Sequence, residues 1–79
     1  MSEWRDETVL ITGGASFIGS HLAEDLVAEG ASVRVADDFS SGTKANLEQI
    51  TDDIEILSGN LKRRVFADEA TEDIDTVFH

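Results

Sequence analysis

The segment TGGASFIG, residues 12–19, follows an apolar, β-branched run at 9–11 and opens an amphipathic stretch. A short strand, a glycine-rich turn and a helix, in that order, form the context in which glycines at this spacing bind a dinucleotide. Gly13 lets the chain turn sharply out of the strand, position 16 lies where backbone approaches a pyrophosphate, and Gly19 lets the helix pack on the sheet. The N-terminus of that helix would offer N–H groups to the anion.

A second apolar run, VRVA at 33–36, ends in Asp37 and Asp38, and Asp37 lies 18 residues after Gly19. A carboxylate at the end of the second strand is placed to accept hydrogen bonds from the ribose hydroxyls of adenosine. The glycine spacing alone would more often mark an ordinary turn. Strand, helix and acid together indicate a βαβ unit of the Rossmann type.

The pattern along the rest of the chain predicts an α/β fold. We expect strands at 8–12, 32–37, 54–58 and 75–79, helices at 17–29 and 63–72, and a loop with a short helix at 43–50. In the first helix Ile18, Leu22 and Leu26 recur at four-residue spacing and are expected to face the core, and Gly30 can close the helix in a left-handed cap. Right-handed crossovers then give a partial Rossmann fold, a parallel four-stranded sheet of order 3-2-1-4 with helices on both faces.

Composition argues against several kinds of partner. Seventeen Asp and Glu against six Lys and Arg give a formal net charge of −11, which repels nucleic acid and anionic membranes. The absence of cysteine agrees with a cytoplasmic location, and His21 and His79 lack the clustered spacing of a metal site. The acid excess is typical of halophilic proteins, in which high ionic strength screens the self-repulsion. We therefore expect no nucleic-acid, membrane or metal partner.

The amino-acid sequences of four segments are more specific to one protein family than the arguments above require. TGGASFIGSHL, VADDFSSGTKANL, LSGNLKRR and DTVFH stand in the order seen in the extended short-chain dehydrogenase/reductase family. The chain resembles the NAD-dependent sugar-nucleotide epimerases and dehydratases of that family, the UDP-glucose 4-epimerases most closely and the dTDP-glucose 4,6-dehydratases second. The resemblance covers about 8–79, so that 1–79 is expected to form the N-terminal portion of a dinucleotide-binding domain.

This resemblance implies NAD as the cofactor and assigns residues to each part of it. The pyrophosphate turn would contain Gly13, Phe17, Ile18 and Gly19, the ribose would bind Asp37, the adenosine end would be surrounded by Asp38, Ser40, Ser41 and Gly42, and Asn60 and Leu61 would flank the adenine. Two positions depart from the family, which usually has glycine in place of Ser16 and aspartate in place of Asn60. The Ser16 side chain either crowds the phosphate or hydrogen-bonds to it. Asn60 can accept a hydrogen bond from the adenine amino group through its carbonyl oxygen, but it carries no charge.

The family's chemistry also requires a Tyr-x-x-x-Lys pair, and this chain contains no tyrosine. We therefore expect these residues not to catalyse a reaction by themselves. Three hypotheses follow: the N-terminal piece of an epimerase or dehydratase, a stand-alone nucleotide-binding or regulatory module, and a folded remnant that associates with itself or another chain. A reading frame that continues past His79 into Tyr-x-x-x-Lys would favour the first. A homodimer through the edge strand at 75–79 would suit a chain too small to bury a large core.

Overall fold

Four parallel strands form the sheet: β1 (Thr8–Thr12), β2 (Ser32–Asp37), β3 (Ile54–Ser58) and β4 (Thr76–Phe78). The computed structural model describes residues 4–13, 15–39 and 43–78. Within them the strand order is β3-β2-β1-β4, which confirms the predicted topology. Thr12 of β1 pairs with Ala36 of β2, and Asp37 pairs with Ser58 of β3. This register brings the carboxyl ends of three strands to the same edge of the sheet.

Helices cover both faces of the sheet, as predicted. On one face α1 (Phe17–Ala28) and a 3₁₀ helix (Lys44–Asp53) pack over the sheet. The core on that side consists of Val9, Ile11, Ala15, Ala23, Leu26, Ala31, Val33, Val35, Leu47 and Ile50. On the other face α2 (Arg64–Thr71) packs through Ala70 and Phe66 against Leu10 and Ala36. The central strand β1 is therefore apolar on both sides, because successive side chains of a strand point to opposite faces.

The first turn of α1 differs from the prediction. Ile18 was expected on the packed face of the helix, but it is 81% exposed, whereas Ser20, Ala23 and Leu26 are buried. Each step of four residues overshoots a full helical turn by about 40°, so Ile18 lies about 80° around the axis from Leu26. The expected cap is confirmed, since Gly30 has a φ of +91° and its N–H donates to the carbonyl of Val27 at 3.0 Å.

The later elements differ from the prediction mainly in length. The short helix expected at 43–50 is the longer 3₁₀ helix, and the fourth strand, expected at 75–79, is Thr76–Phe78. Asp75 precedes that strand and still pairs with β1, because its N–H donates to the Thr8 carbonyl and its Oδ2 accepts from the Thr8 N–H, both at 2.9 Å. His79 lies outside the described residues.

Arg34 fixes α2 to the sheet from the middle of β2. Its Nη1 donates to the carbonyl of Ala70 at 2.9 Å and to that of Glu72 at 2.8 Å, while its Nε donates to Glu55 on β3. The last carbonyls of a helix have no partner within the helix, so a guanidinium placed there satisfies them and interacts favourably with the helix dipole. No helix in the described part of the chain has the length and apolar character that crossing a membrane requires.

Candidate functional site

A cleft of about 590 Å³ opens at the carboxyl ends of β1, β2 and β3. Its lining consists of Thr12, Gly13, Ala36, Asp37, Asp38, Gly59, Asn60, Leu61 and Lys62. Two backbone hydrogen bonds extend the strand pairing into this edge: the Gly13 N–H donates to the Ala36 carbonyl at 2.9 Å, and the Gly59 N–H donates to the Asp37 carbonyl at 3.0 Å. Open parallel sheets bind ligands outside the carboxyl ends of their strands, where the strand order reverses. Here β1 lies at that reversal, between β2 and β4.

Asp37 is a buried carboxylate within this cleft, with 8% of the residue exposed. Its Oδ2 accepts a hydrogen bond from the Ala15 N–H at 3.0 Å, and its Oδ1 accepts one from the Phe39 N–H at 2.8 Å. Phe39 has a φ of +60°, which is uncommon for an aromatic residue. The carboxylate therefore joins the β1–α1 turn to the segment after β2 and supports a strained backbone conformation there. Each oxygen still has a lone pair for a further donor.

Residues of the 3₁₀ helix and its N-cap bind the carbonyl group of Ala15. The carbonyl of Ala15 accepts hydrogen bonds from Asn46 Nδ2 at 2.7 Å and from the Thr43 N–H at 3.2 Å, and its methyl group is fully buried. Asp37 and Asn46 thus bind opposite ends of the same residue. This arrangement fixes Ala15, ahead of the helix start, without a ligand, which lowers the entropy that binding has to overcome.

The N-terminus of α1 continues from this turn. Ser16 is the N-cap, with an extended backbone (φ −71°, ψ 165°), and its Oγ accepts a hydrogen bond from the Gly19 N–H at 3.0 Å. The N–H groups of Phe17 and Ile18 have no hydrogen-bond partner among the described residues. Both side chains are exposed, at 71% and 81%, and the Phe17 ring meets the ring of His21 edge-on at 4.6 Å. Free N–H groups at a helix N-terminus form an anion-binding site.

At the β3 end of the cleft, Asn60 organises a tight turn. Its Oδ1 accepts a hydrogen bond from the Lys62 N–H and its carbonyl accepts one from the Arg63 N–H, both at 2.9 Å. Gly59 precedes it, and a Cβ at this position would lie 2.5 Å from the Phe66 ring, so a larger residue would require the ring to shift. Through this close approach, Phe66 packs α2 against the turn. Lys62 brings a cation to the rim of the cleft in an otherwise acidic chain.

Five of the residues that the sequence indicated line this cleft together: Gly13, Asp37, Asp38, Asn60 and Leu61. Four others, Ser16, Phe17, Ile18 and Gly19, form the adjoining start of α1 and are not part of the lining. Ser40, Ser41 and Gly42 lie outside the described residues.

Sequence reasoning missed Ala15, Asn46, Gly59 and Lys62. Gly59 carried a usable signal, because it follows β3 directly as Gly13 follows β1. Ala15 and Asn46 carried none, since their contact joins residues 31 positions apart. No group of three or more His, Asp or Glu side chains in the described part of the chain is arranged to hold a metal ion.

Comparisons with known proteins agree on the family to which the chain is similar. The model of the NAD dependent epimerase/dehydratase family matches residues 9–79. The chain is 43% identical over 70 residues to the UDP-N-acetyl-alpha-D-glucosaminuronate decarboxylase of Bacillus cytotoxicus. The aligned segment covers 89% of this chain and 22% of that protein. The Bordetella bronchiseptica enzyme WbmF, solved in complex with NAD+ and UDP, has a TM-score of 0.87 at 26% identity over 100% of this chain and 24% of its own. A UDP-glucose 4-epimerase structure has a TM-score of 0.78 at 34% identity over 90% of this chain and 21% of its own. The chain therefore spans less than a quarter of the length of these relatives.

Proposed function

Because the chain belongs to the NAD-dependent epimerase/dehydratase family, we propose that the cleft at the carboxyl ends of its strands binds the adenosine and pyrophosphate portion of NAD. The observation that carries this proposal is the buried Asp37 carboxylate, which lies at the end of β2 in the same cleft as the Gly13 turn. A carboxylate at that place is suited to the ribose hydroxyls. WbmF, which has the same fold over the whole of this chain, was solved with NAD+ bound.

Each part of the ligand has a group to receive it. The pyrophosphate would accept hydrogen bonds from the Phe17 and Ile18 N–H groups at the start of α1, where the helix dipole also favours an anion. Gly13 has a φ of +68°, and a Cβ there would have no neighbour within 4 Å, so the backbone beside the cleft is open to a close-lying phosphate. The ribose hydroxyls would donate to Asp37, whose lone pairs are not all used. Ser40, Ser41 and Gly42 remain proposed contacts of the adenosine end.

The protein's part in the reaction would be to bind and orient the cofactor. When bound, NAD supplies a hydride acceptor to its enzymes. The tyrosine that the family resemblance implies is not among these 79 residues. We therefore propose that this chain supplies the nucleotide-binding part of a sugar-nucleotide-modifying enzyme, in keeping with the UDP-sugar decarboxylase to which it is similar.

The cofactor choice gives the test of the proposal. Asp37 would repel a 2′-phosphate, and like charges brought together at an interface cost several kcal/mol, so we expect NADP to bind at least about tenfold more weakly than NAD. Calorimetric titration of the folded chain with both dinucleotides measures the ratio. Asp37→Ala should narrow it, whereas Asp68→Ala, which removes an exposed carboxylate on α2, should leave it unchanged. Equal affinities for NAD and NADP in the unaltered chain would contradict the role given to Asp37.

Binding of neither dinucleotide by the folded chain would contradict the proposal itself. It would favour the remaining hypothesis, a remnant that associates with itself through β4, whose partner-free edge in the described sheet carries the half-exposed Val77. Binding without any larger enzyme attached would suit a stand-alone regulatory module equally well. A cytoplasmic location is part of the proposal, because a chain without cysteine agrees with a reducing compartment.

A further inference from the structure

The three strand ends define a direction across the cleft. If NAD binds as proposed above, on which this inference rests, its pyrophosphate lies at the start of α1, after β1, and its ribose lies at Asp37, at the end of β2. The strand order β3-β2-β1-β4 then continues in the same direction to the end of β3. The base attached to that ribose must therefore lie against Gly59, Asn60 and Leu61, which line this end of the cleft.

The side chain of Asn60 has a fixed polarity. Its Oδ1 accepts a hydrogen bond from the Lys62 N–H at 2.9 Å. A backbone N–H can only donate, so the amide oxygen must face it and the amide nitrogen must face away. In the described part of the chain Nδ2 has no hydrogen-bond partner, and the residue is exposed. Nδ2 can therefore donate to a ligand without disturbing the turn, whereas Oδ1 already accepts one hydrogen bond and keeps a single lone pair for another.

Lys62 adds a second donor at the same end. It lines the cleft, and its ammonium group has three N–H donors and no acceptor. Neither Asn60 Nδ2 nor Lys62 can accept a hydrogen bond from an exocyclic amino group. Both can donate to a ring nitrogen or to a carbonyl oxygen on the edge of a base.

We propose that Asn60 gives the base end of this site a hydrogen-bond donor beside its acceptor oxygen, so that the site distinguishes poorly between adenine and hypoxanthine. Adenine presents an amino donor at C6 and an acceptor at N1, whereas hypoxanthine presents a carbonyl acceptor at C6 and a donor at N1. A donating side chain finds an acceptor on either base. An aspartate at position 60 would instead present an acceptor, which selects the 6-amino group and is repelled by a 6-carbonyl.

The test compares NAD with nicotinamide hypoxanthine dinucleotide, which differs from it only at C6 and N1 of the purine. We expect the unaltered chain to bind the two with dissociation constants within about threefold of each other, since no base-selective hydrogen bond is lost. Asn60→Asp keeps an oxygen for the Lys62 N–H and replaces the Nδ2 donor by an acceptor. It should raise the preference for NAD to about tenfold, the size of one discriminating hydrogen-bond pair.

Gln49→Glu is the matched control. It makes the same amide-to-carboxylate change at an exposed position of the 3₁₀ helix, outside the cleft lining, and should leave the ratio unchanged. A tenfold preference for NAD in the unaltered chain, or an unchanged ratio in Asn60→Asp, would overturn the inference while leaving the proposed function intact. Failure of both dinucleotides to bind the folded chain would contradict the proposed function, and this inference with it.

Discussion

Removing the carboxylate of Asp37 should destabilise the chain even without a ligand. Its two oxygens accept hydrogen bonds from the Ala15 N–H at 3.0 Å and the Phe39 N–H at 2.8 Å. In Asp37→Ala both N–H groups lose their acceptor, and the bond to Ala15 is a buried one. Phe39 also loses the contact that supports its left-handed backbone conformation, with a φ of +60°.

The size of the effect follows from these contacts. Hydrogen bonds to a charged group contribute about 1.5–3 kcal/mol each, so two of them represent about 3–6 kcal/mol. Water reaches the vacated space at this edge of the sheet and compensates part of that, and we expect a net loss of about 3 kcal/mol in the free energy of unfolding. A chain of this length has a total of about 4–12 kcal/mol, and small domains lie toward the lower part of the range. Asp37→Ala should therefore lower the denaturation midpoint markedly.

Urea unfolding followed by circular dichroism, without nucleotide, measures this loss. Asp68→Ala serves as the control, because it also lowers the net negative charge by one but removes an exposed carboxylate on α2. Asp37→Asn should lie between the two, since its amide oxygen can accept one of the two N–H groups while its NH₂ faces the other. If Asp37→Ala unfolded within about 0.5 kcal/mol of the control, the usual range for surface substitutions, the tie between the two loops would not exist in solution.

Three further predictions concern the cap, the charge and the edge of the sheet. Ser16→Gly should strengthen NAD binding by about 1 kcal/mol, because it removes a side chain beside the proposed phosphate position and frees the Gly19 N–H. Calorimetry measures the change, and weaker binding would show that the hydroxyl donates to the phosphate instead. Raising KCl to about 1 M shortens the Debye length to about 3 Å. The melting temperature of a chain with net charge −11 should then rise, and an unchanged value would contradict salt adaptation. Two β4 strands should pair antiparallel in a homodimer. Val77→Lys should dissociate this dimer, whereas the control Val65→Lys, at an exposed site on α2, should not. Light scattering that finds only monomer at millimolar protein in high salt would rule the dimer out.

Much of the fold could be predicted because it depends on neighbours in the chain. Apolar runs bounded by turn residues gave β1, β2 and β3 with the same bounds that the structure has. The strand order followed from right-handed crossovers, which leave few alternatives for a parallel sheet. The position of Ile18 was mispredicted from the same kind of evidence, because a four-residue repeat only approximates the 3.6-residue period of a helix.

For the candidate site, the sequence indicated residue types and an edge of the sheet but not the contacts. Gly13 and Asp37 were identified from their positions at the ends of β1 and β2, and Asn60 from the family resemblance. That Asp37 already accepts two backbone hydrogen bonds, and that Asn60 directs its oxygen to Lys62, became visible only in the tertiary structure. The anchoring of Ala15 by Asn46 likewise joins distant residues. The physical reason is range: turns and periodicities are set by interactions over a few residues, whereas the partner of a polar atom depends on distances near 3 Å that only the packed sheet and its loops determine.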